Sequence, residues 1–210
     1  MIQLVNNIYL GGYLLWLNNR YNYLIDNLKS NAKKYNDKNT TKQIRNLLIE
    51  RKNKINNFFN VIVKWIAEKY KDKKLIIIGY NKRWKDRINL GRKTNRTFYQ
   101  IPYCRLLDKL KDKFNGMGII VSYNEESYTS KCDALSLEEI GKKETYKGKR
   151  TKRGLFSSSI KKLINADING AINIMRKHYN KKGITITEIT GTNIYNPVSV
   201  KLPREVVRPA

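Results

Sequence analysis

Sulfur and imidazole are scarce in this chain. It has two cysteines, Cys104 and Cys132, and one histidine, His178, in 210 residues. There is no C-x-x-C pair, so neither a disulfide framework nor a four-Cys zinc site can be assembled, and a His-based metal site is not expected. Acidic residues are also few: 17 Asp and Glu stand against 43 Lys and Arg, a net charge of +26. No run of about 18 apolar residues occurs, so no membrane span is expected. The opening "MIQLVNNIYLGGYLLW" is apolar, but it lacks a basic n-region and a small-residue cleavage site, which makes it a poor signal peptide. An intracellular location is the resulting expectation.

What is present is a folding sequence with an unusual surface. A hydrophobic fraction of 40% supports a real core, and the length suits one compact domain with an appendage. A charge this far from zero exceeds what solubility needs and points to polyphosphate partners, DNA or RNA. A membrane surface is the weaker match, because the basic residues are spread along the chain and not concentrated on one amphipathic helix. With so few soft ligands, any bound metal would be held by carboxylates and carbonyls, which favours Mg²⁺ or Mn²⁺ and excludes zinc.

Residues 2–25 read as two or three short strands, with "NN" and "GG" as turns. Residues 41–70 read as one long helix, with Ile44, Leu47, Leu48, Ile55, Phe58, Phe59, Ile62, Ile66 and Tyr70 in helical phase. "KLIIIGYN" is a short buried strand ending at Gly79. "KRWKDRINLGRKTNR" is a basic loop, and a helix around 99–114 presents Tyr103, Leu106, Leu107, Leu110 and Phe114 on one face. "GIIVSY", 118–123, is the next strand. Strand, helix and strand make a βαβ unit with parallel strands. In open α/β sheets, sites gather beyond the carboxyl ends of the strands. Glu125 and Glu126 lie at such an end, where they are either a solvated acidic turn or part of a site. Residues 183–210, with three prolines, read as extended.

"INADINGAINIMRK", residues 164–177, poses the same choice. Ile168, Ala171, Ile172 and Met175 form one apolar helical face. Asp167 stands where the helix begins, and its two oxygens suit an N-cap, a metal ligand or both. Asn165, Asn169 and Asn173 recur every fourth residue as a polar stripe that can face solvent. "GKKETYKGKRTKRGL", 141–155, is a basic, glycine-punctuated loop suited to phosphate contact through Lys149, Arg150 and Arg153. Trp84, with Arg83, Lys85, Arg92 and Lys93, either stacks on and grips a nucleic-acid strand or is pinned on the domain edge.

The blocks "IIIGYNKRWK", "INLGRKTNRTFYQIPYCRLLDKL", "GIIVSYNEESYTSK", "YKGKRTKRGLF" and "INADINGAINIMRK" occur in that order. Together they resemble the C-terminal half of the TnpB (OrfB) proteins. These are transposon-encoded, RNA-guided nucleases with a RuvC-like, ribonuclease-H-type domain, related to the compact CRISPR nucleases and to Fanzor proteins. The likeness covers residues 40–178 well and 2–35 more loosely. It implies an α/β fold, a RuvC-like mixed sheet with flanking helices, incomplete at the N-terminus. Residues 1–180 would form a partial nuclease domain, with about 98–178 corresponding to the target-nucleic-acid-binding segment, and 181–210 would be a tail.

The same resemblance implies a catalytic and metal-binding set. Asp167 matches the family's last acidic ligand. The family's middle Glu usually ends the strand that closes here with Gly79. A subgroup carries that Glu in an "EESYTSK" block, which Glu126 matches, with Glu125 as its neighbour. The zinc ribbon many relatives place after "YTS" is absent, as in that subgroup. The family's first motif, a strand bearing an Asp, has no counterpart, since the first Asp is Asp26 in a segment that does not match. Losing one carboxylate from a cooperating set removes most of the catalysis. The expectation is a truncated TnpB-like protein of a mobile element that binds DNA, and a guide RNA by family analogy, and that does not cleave alone. No small-molecule substrate and no membrane partner are expected. A separate N-terminal polypeptide would restore activity. The rival readings are a non-catalytic regulator and an unrelated basic RNA-binding protein.

Overall fold

The computed structural model describes residues 11–36, 40–81, 91–152 and 154–189. Its elements in chain order are α1 (Gly11–Asn36), α2 (Lys42–Lys69), β1 (Leu75–Gly79), α3 (Arg92–Tyr99), α4 (Tyr103–Asn115), β2 (Ile120–Asn124), β3 (Lys149–Lys152), β4 (Leu155–Ser157), β5 (Leu163–Asn165) and α5 (Ala166–Asn180). The chain is therefore mixed α and β. It divides into two units, one helical and one built on sheets.

The helical unit holds α1 to α4. Helix α2 starts where its sequence says it should: the Thr41 side chain accepts the Ile44 N–H, and the apolar phase runs to Ala67. Helix α1 overturns the expectation of strands over residues 11–25, while residues 2–10 of that expectation lie outside the described residues. Leu14, Leu17, Tyr21 and Ile25 are buried at three- and four-residue intervals and meet Ile44, Ile55, Phe58, Phe59 and Ile62 of α2, which is helical spacing. Two asparagines of α1 are packing residues. Asn18 donates to the Thr97 carbonyl at 3.1 Å, and Asn22 and Gln100 exchange side-chain hydrogen bonds at 2.9 and 3.0 Å. Asp26 accepts two bonds from the Arg96 guanidinium, at 2.6 and 2.8 Å.

Two further expectations change here. Part of the expected basic loop, residues 92–96, lies in helix α3, and the helix expected around 99–114 begins at Tyr103. Pro102 separates them, since it lacks the N–H that a continuous helix would need. Leu110 and Phe114 of α4 are buried as the apolar phase requires.

In the sheet unit, β1 and β2 pair in parallel, with Leu75 opposite Ile120 and Gly79 opposite Asn124. The parallel strands read from the sequence are present, although β1 is half-buried and not fully covered. Strands β3, β4 and β5 form an antiparallel meander. The basic segment 141–155 thus contains a strand where a loop is expected. Helix α5 follows β5 without a break and packs on β1, β2, β4 and β5. Its Ile168, Ile172 and Met175 join Ala134, Phe156 and Ile164 in the core, with Ile77, Ile186 and Ile189 against them.

Candidate functional site

Both candidate carboxylate positions belong to the sheet unit, at the carboxyl ends of short strands. Strand β2 leaves the sheet at Asn124, whose amide donates to the Ile174 carbonyl of α5 at 2.9 Å. Two residues later the Glu126 N–H donates to Asn81 Oδ1 at 2.9 Å, and the Tyr80 N–H donates to the Asn124 carbonyl at 2.8 Å. The ends of β1 and β2 are thereby tied together below Glu126.

The turn after Glu126 is tightly determined. Tyr128 has a φ of 65°, unusual for a non-glycine residue. It is held there by bonds on both sides. Thr129 donates its N–H and its hydroxyl to the Glu126 carbonyl at 3.1 and 2.8 Å, and Lys131 and Cys132 donate to the Tyr128 carbonyl. The buried Thr129 is structural, as its place in the turn implies.

The asparagine stripe does not face solvent. Asn169 and Asn173 are fully buried. Asn169 donates to the Cys132 carbonyl and accepts from the Ala134 N–H, both at 2.9 Å. Asn173 donates to the Thr129 and Cys132 carbonyls at 2.9 and 2.7 Å, and accepts from Arg176 at 2.7 Å. These two amides bolt the turn that begins at Glu126 to the helix that begins beside Asp167. The α5 cap is also reassigned. Asn165 is the N-cap, its Oδ1 accepting from the Asp167 and Ile168 N–H groups at 2.9 and 3.2 Å. Asp167 is exposed one residue inside the helix. There its charge suits the positive end of the helix dipole without doing the capping.

The two glutamates have different fates. Glu125 is held by Lys177 of α5 and by Ser127, and these hydrogen bonds pull its carboxyl down to about 2. Glu126 is half-buried, and that burial, with the charge of Glu125 next, pushes its carboxyl above the ordinary range. Its side chain turns back over β1. A Cβ built on Gly79 would lie 2.7 Å from Glu126 Cδ and 2.6 Å from Ile174 Cδ1. Glycine at 79 is therefore what lets Glu126 lie there.

A second acidic pair, absent from the sequence reading, organises the loop after Cys132. Asp133 is fully buried. Burial would raise its carboxyl, but bonds from the Ser159 N–H and the Ser158 and Ser159 hydroxyls, at 2.7 to 2.9 Å, hold it below its ordinary value. Buried Glu138 accepts from the Asp133 and Lys147 N–H groups at 2.8 and 3.2 Å. These carboxylates close by hydrogen bonding the loop that follows Cys132. The signal in the sequence is a pair of acids in a chain that has few.

A divalent cation needs several hard oxygen donors converging on one point. Among the described residues, no three His, Cys, Asp or Glu side chains form such a group. Of the expected set, Glu125 is taken up by the Lys177 ion pair.

Basic residues line the meander. All of β3 is exposed. Lys149 pairs with Ser157, which pairs with Leu163, and Lys152 pairs with Leu155, which pairs with Asn165. An irregularity between Arg150 and Lys152 inserts one extra residue. Such a bulge re-aims the side chains beyond it, so Lys149 and Lys152 share the outer face and Arg150 points the other way. Lys152 thus stands in the same cross-strand row as the residue that caps α5. Arg92 and Lys93 open α3 in the helical unit, whereas Arg83, Trp84, Lys85 and Arg153 lie outside the described residues. Among the described residues, no helix is long and apolar enough to cross a membrane. No protein-family model matches the chain, and no curated protein matches it.

Proposed function

We propose that this chain is a nucleic-acid-binding protein with the scaffold of a RuvC-like, TnpB-type endonuclease, and that it does not cleave nucleic acid by itself. The observation that carries the proposal is the packing of Glu126 against Gly79. In the resemblance, these are the two alternative homes of the middle glutamate. A carboxylate carried by the loop, lying over a glycine that leaves it room, is what a relocated ligand requires.

Three further features support the reading. The parallel β1–β2 pair has the candidate carboxylate at its carboxyl end, where α/β proteins build sites. Buried Asn169 and Asn173 connect the Glu126 turn to the Asp167 helix, so the family's two matching positions are fixed by one set of hydrogen bonds. The exposed lysines of β3 offer phosphate contacts beside the start of that helix.

Nuclease chemistry of this type uses a cluster of carboxylates to hold two Mg²⁺ ions against the scissile phosphate. Glu126 and Asp167 would supply two of its members. The described residues provide no third, and no cleavage step is assigned to them. What the chain supplies is a charged surface for the phosphates and a rigid turn that holds Glu126 over β1.

Equilibrium binding to labelled DNA and RNA at several salt concentrations, followed by incubation with Mg²⁺ or Mn²⁺, tests the proposal. Tight, salt-sensitive binding without cleavage is expected. Adding a polypeptide that carries an Asp-bearing first strand should elicit metal-dependent cleavage that Glu126→Ala and Asp167→Ala abolish. Absence of nucleic-acid binding at low salt would refute the proposal, and cleavage by the chain alone would refute its second half.

A further inference from the structure

We infer that α1 carries a stacking platform for an unpaired nucleic-acid strand, formed by Trp16 and Tyr23 with Arg20 between them. This rests on the nucleic-acid-binding reading and adds a place where bases, and not only phosphates, are held.

Trp16, Arg20 and Tyr23 stand at i, i+4 and i+7, on one face of the helix. Leu14, Leu17, Tyr21 and Ile25 occupy the buried face. Trp16 is 52% exposed and Tyr23 is 67% exposed. Large rings left this open have given up the burial that stabilises aromatic side chains elsewhere in the same helix.

The Trp16 ring is nonetheless fixed. Tyr13 lies against it with centroids 5.9 Å apart, and Tyr13 is anchored in turn 4.6 Å from Phe58 in the core. The Arg20 guanidinium also lies 5.7 Å from the Trp16 ring centroid. An exposed ring with fixed neighbours needs little ordering when a flat partner arrives. Residues seven apart are separated by roughly 10 Å along a helix, so the two rings would take separate bases.

A nucleotide matches this arrangement in both its parts. Its base offers a π face to Trp16 or Tyr23, and its phosphate offers a counter-charge to Arg20. The rest of α1 adds Lys29, Lys33 and Lys34 against one acid, Asp26, which Arg96 already holds. A second copy of the chain would bring another charge of +26 to this face, whereas a nucleic acid brings the opposite sign.

The test uses the full chain, a fluorescently labelled oligothymidylate and an abasic strand of the same length. The wild type should bind the base-bearing strand about a hundredfold more tightly, the scale of two stacked bases. Trp16→Ala and Tyr23→Ala should each remove about tenfold from that affinity and leave abasic binding unchanged, while Trp16→Phe should keep most of it. Equal wild-type affinity for the two strands would overturn the platform and leave the nucleic-acid reading standing. Failure to bind either strand would overturn both. If Trp16→Ala and Tyr23→Ala change self-association in sedimentation but not oligonucleotide affinity, the face is a protein contact and the platform is wrong.

Discussion

The carboxylate of Glu126 fills the space that a side chain on Gly79 would need. The two residues lie at the ends of adjacent parallel strands, and the small size of one sets the position of the other. A methyl group at 79 has to move Glu126, Ile174 or β1 itself. Gly79→Ala should destabilise the chain by about 1–3 kcal/mol, the usual cost of overpacking. In a Glu126→Ala background the same change should cost at least about 0.5 kcal/mol less, because the pair no longer competes for space. Urea denaturation of the four variants gives the coupling directly, and strict additivity would show that the two side chains do not meet.

Acid titration should separate the neighbouring glutamates. Glu126 has a folded-state value above the ordinary 4.5, chiefly from burial. Its contribution to stability is present below 4.5 and lost as pH rises through the folded value. Glu126→Gln should therefore melt higher than wild type near pH 7.5, with the difference fading as pH approaches about 4.5. Glu125 has the opposite sign. Its contribution is present above 4.5 and lost between 4.5 and about 2. It is half exposed, so Glu125→Gln should cost no more than about 1 kcal/mol at neutral pH. Melting curves of both variants across pH check the two signs together.

The reassigned cap makes a third contrast. Asn165→Ala should cost about 1 kcal/mol, as loss of an N-cap does. Asp167→Asn, which leaves that cap in place, should lose about 0.5 kcal/mol of helix-dipole interaction. Asn173→Ala should exceed both, because it takes the side-chain donor from the buried Thr129 carbonyl, at about 1–3 kcal/mol for a buried group left unpaired, and also removes one bond of Arg176 and one of the two amide bonds to the Cys132 carbonyl, which Asn169 still holds. A larger loss for Asp167→Asn than for Asn165→Ala would return the capping role to Asp167.

On the outer face of the meander, Lys149→Ala and Lys152→Ala should each lower the slope of log affinity against log salt by about 0.7–0.9, one phosphate contact apiece. Thr151→Ala, in the bulge between them, should leave the slope unchanged. If the lysine variants bind with the wild-type slope, the nucleic acid does not lie on this face.

Periodicity reached the elements whose partners are repeated along their own length. Helix α2 shows its apolar phase along most of its length, and β1 and β2 are apolar runs closed by Gly79 and by Asn124 with its acids. Helix α1 was illegible because Asn18 and Asn22 look like turn residues until Thr97 and Gln100, far along the chain, supply their hydrogen bonds. The stripe at 169 and 173 was visible as a stripe, but its direction was not. A buried amide and a solvated one have the same sequence, and only the backbone of 129–134 distinguishes them. Asp167 was placed correctly at the helix start, and Asn165, two residues earlier, took the cap. Asp133 and Glu138 went unnoticed because their partners are backbone N–H groups and serines, which leave no pattern of their own.

The pairing of Leu75 with Ile120 spans 45 residues, and this distance governs when the sheet unit can form. A ribosome delivers β1 long before β2, and the intervening stretch contributes α3 and α4 to the other unit. During that interval Ile76, Ile77 and Ile78 are an apolar strand without its parallel neighbour, the kind of edge that invites intermolecular pairing. The helical unit gains its α1–α2 core early, from contacts between consecutive helices. The sheet unit depends on non-local closure, a slow class of step. Its α5 helix arrives later still. In refolding, the helical unit should acquire its structure first, and aggregation should track the lifetime of the solitary β1.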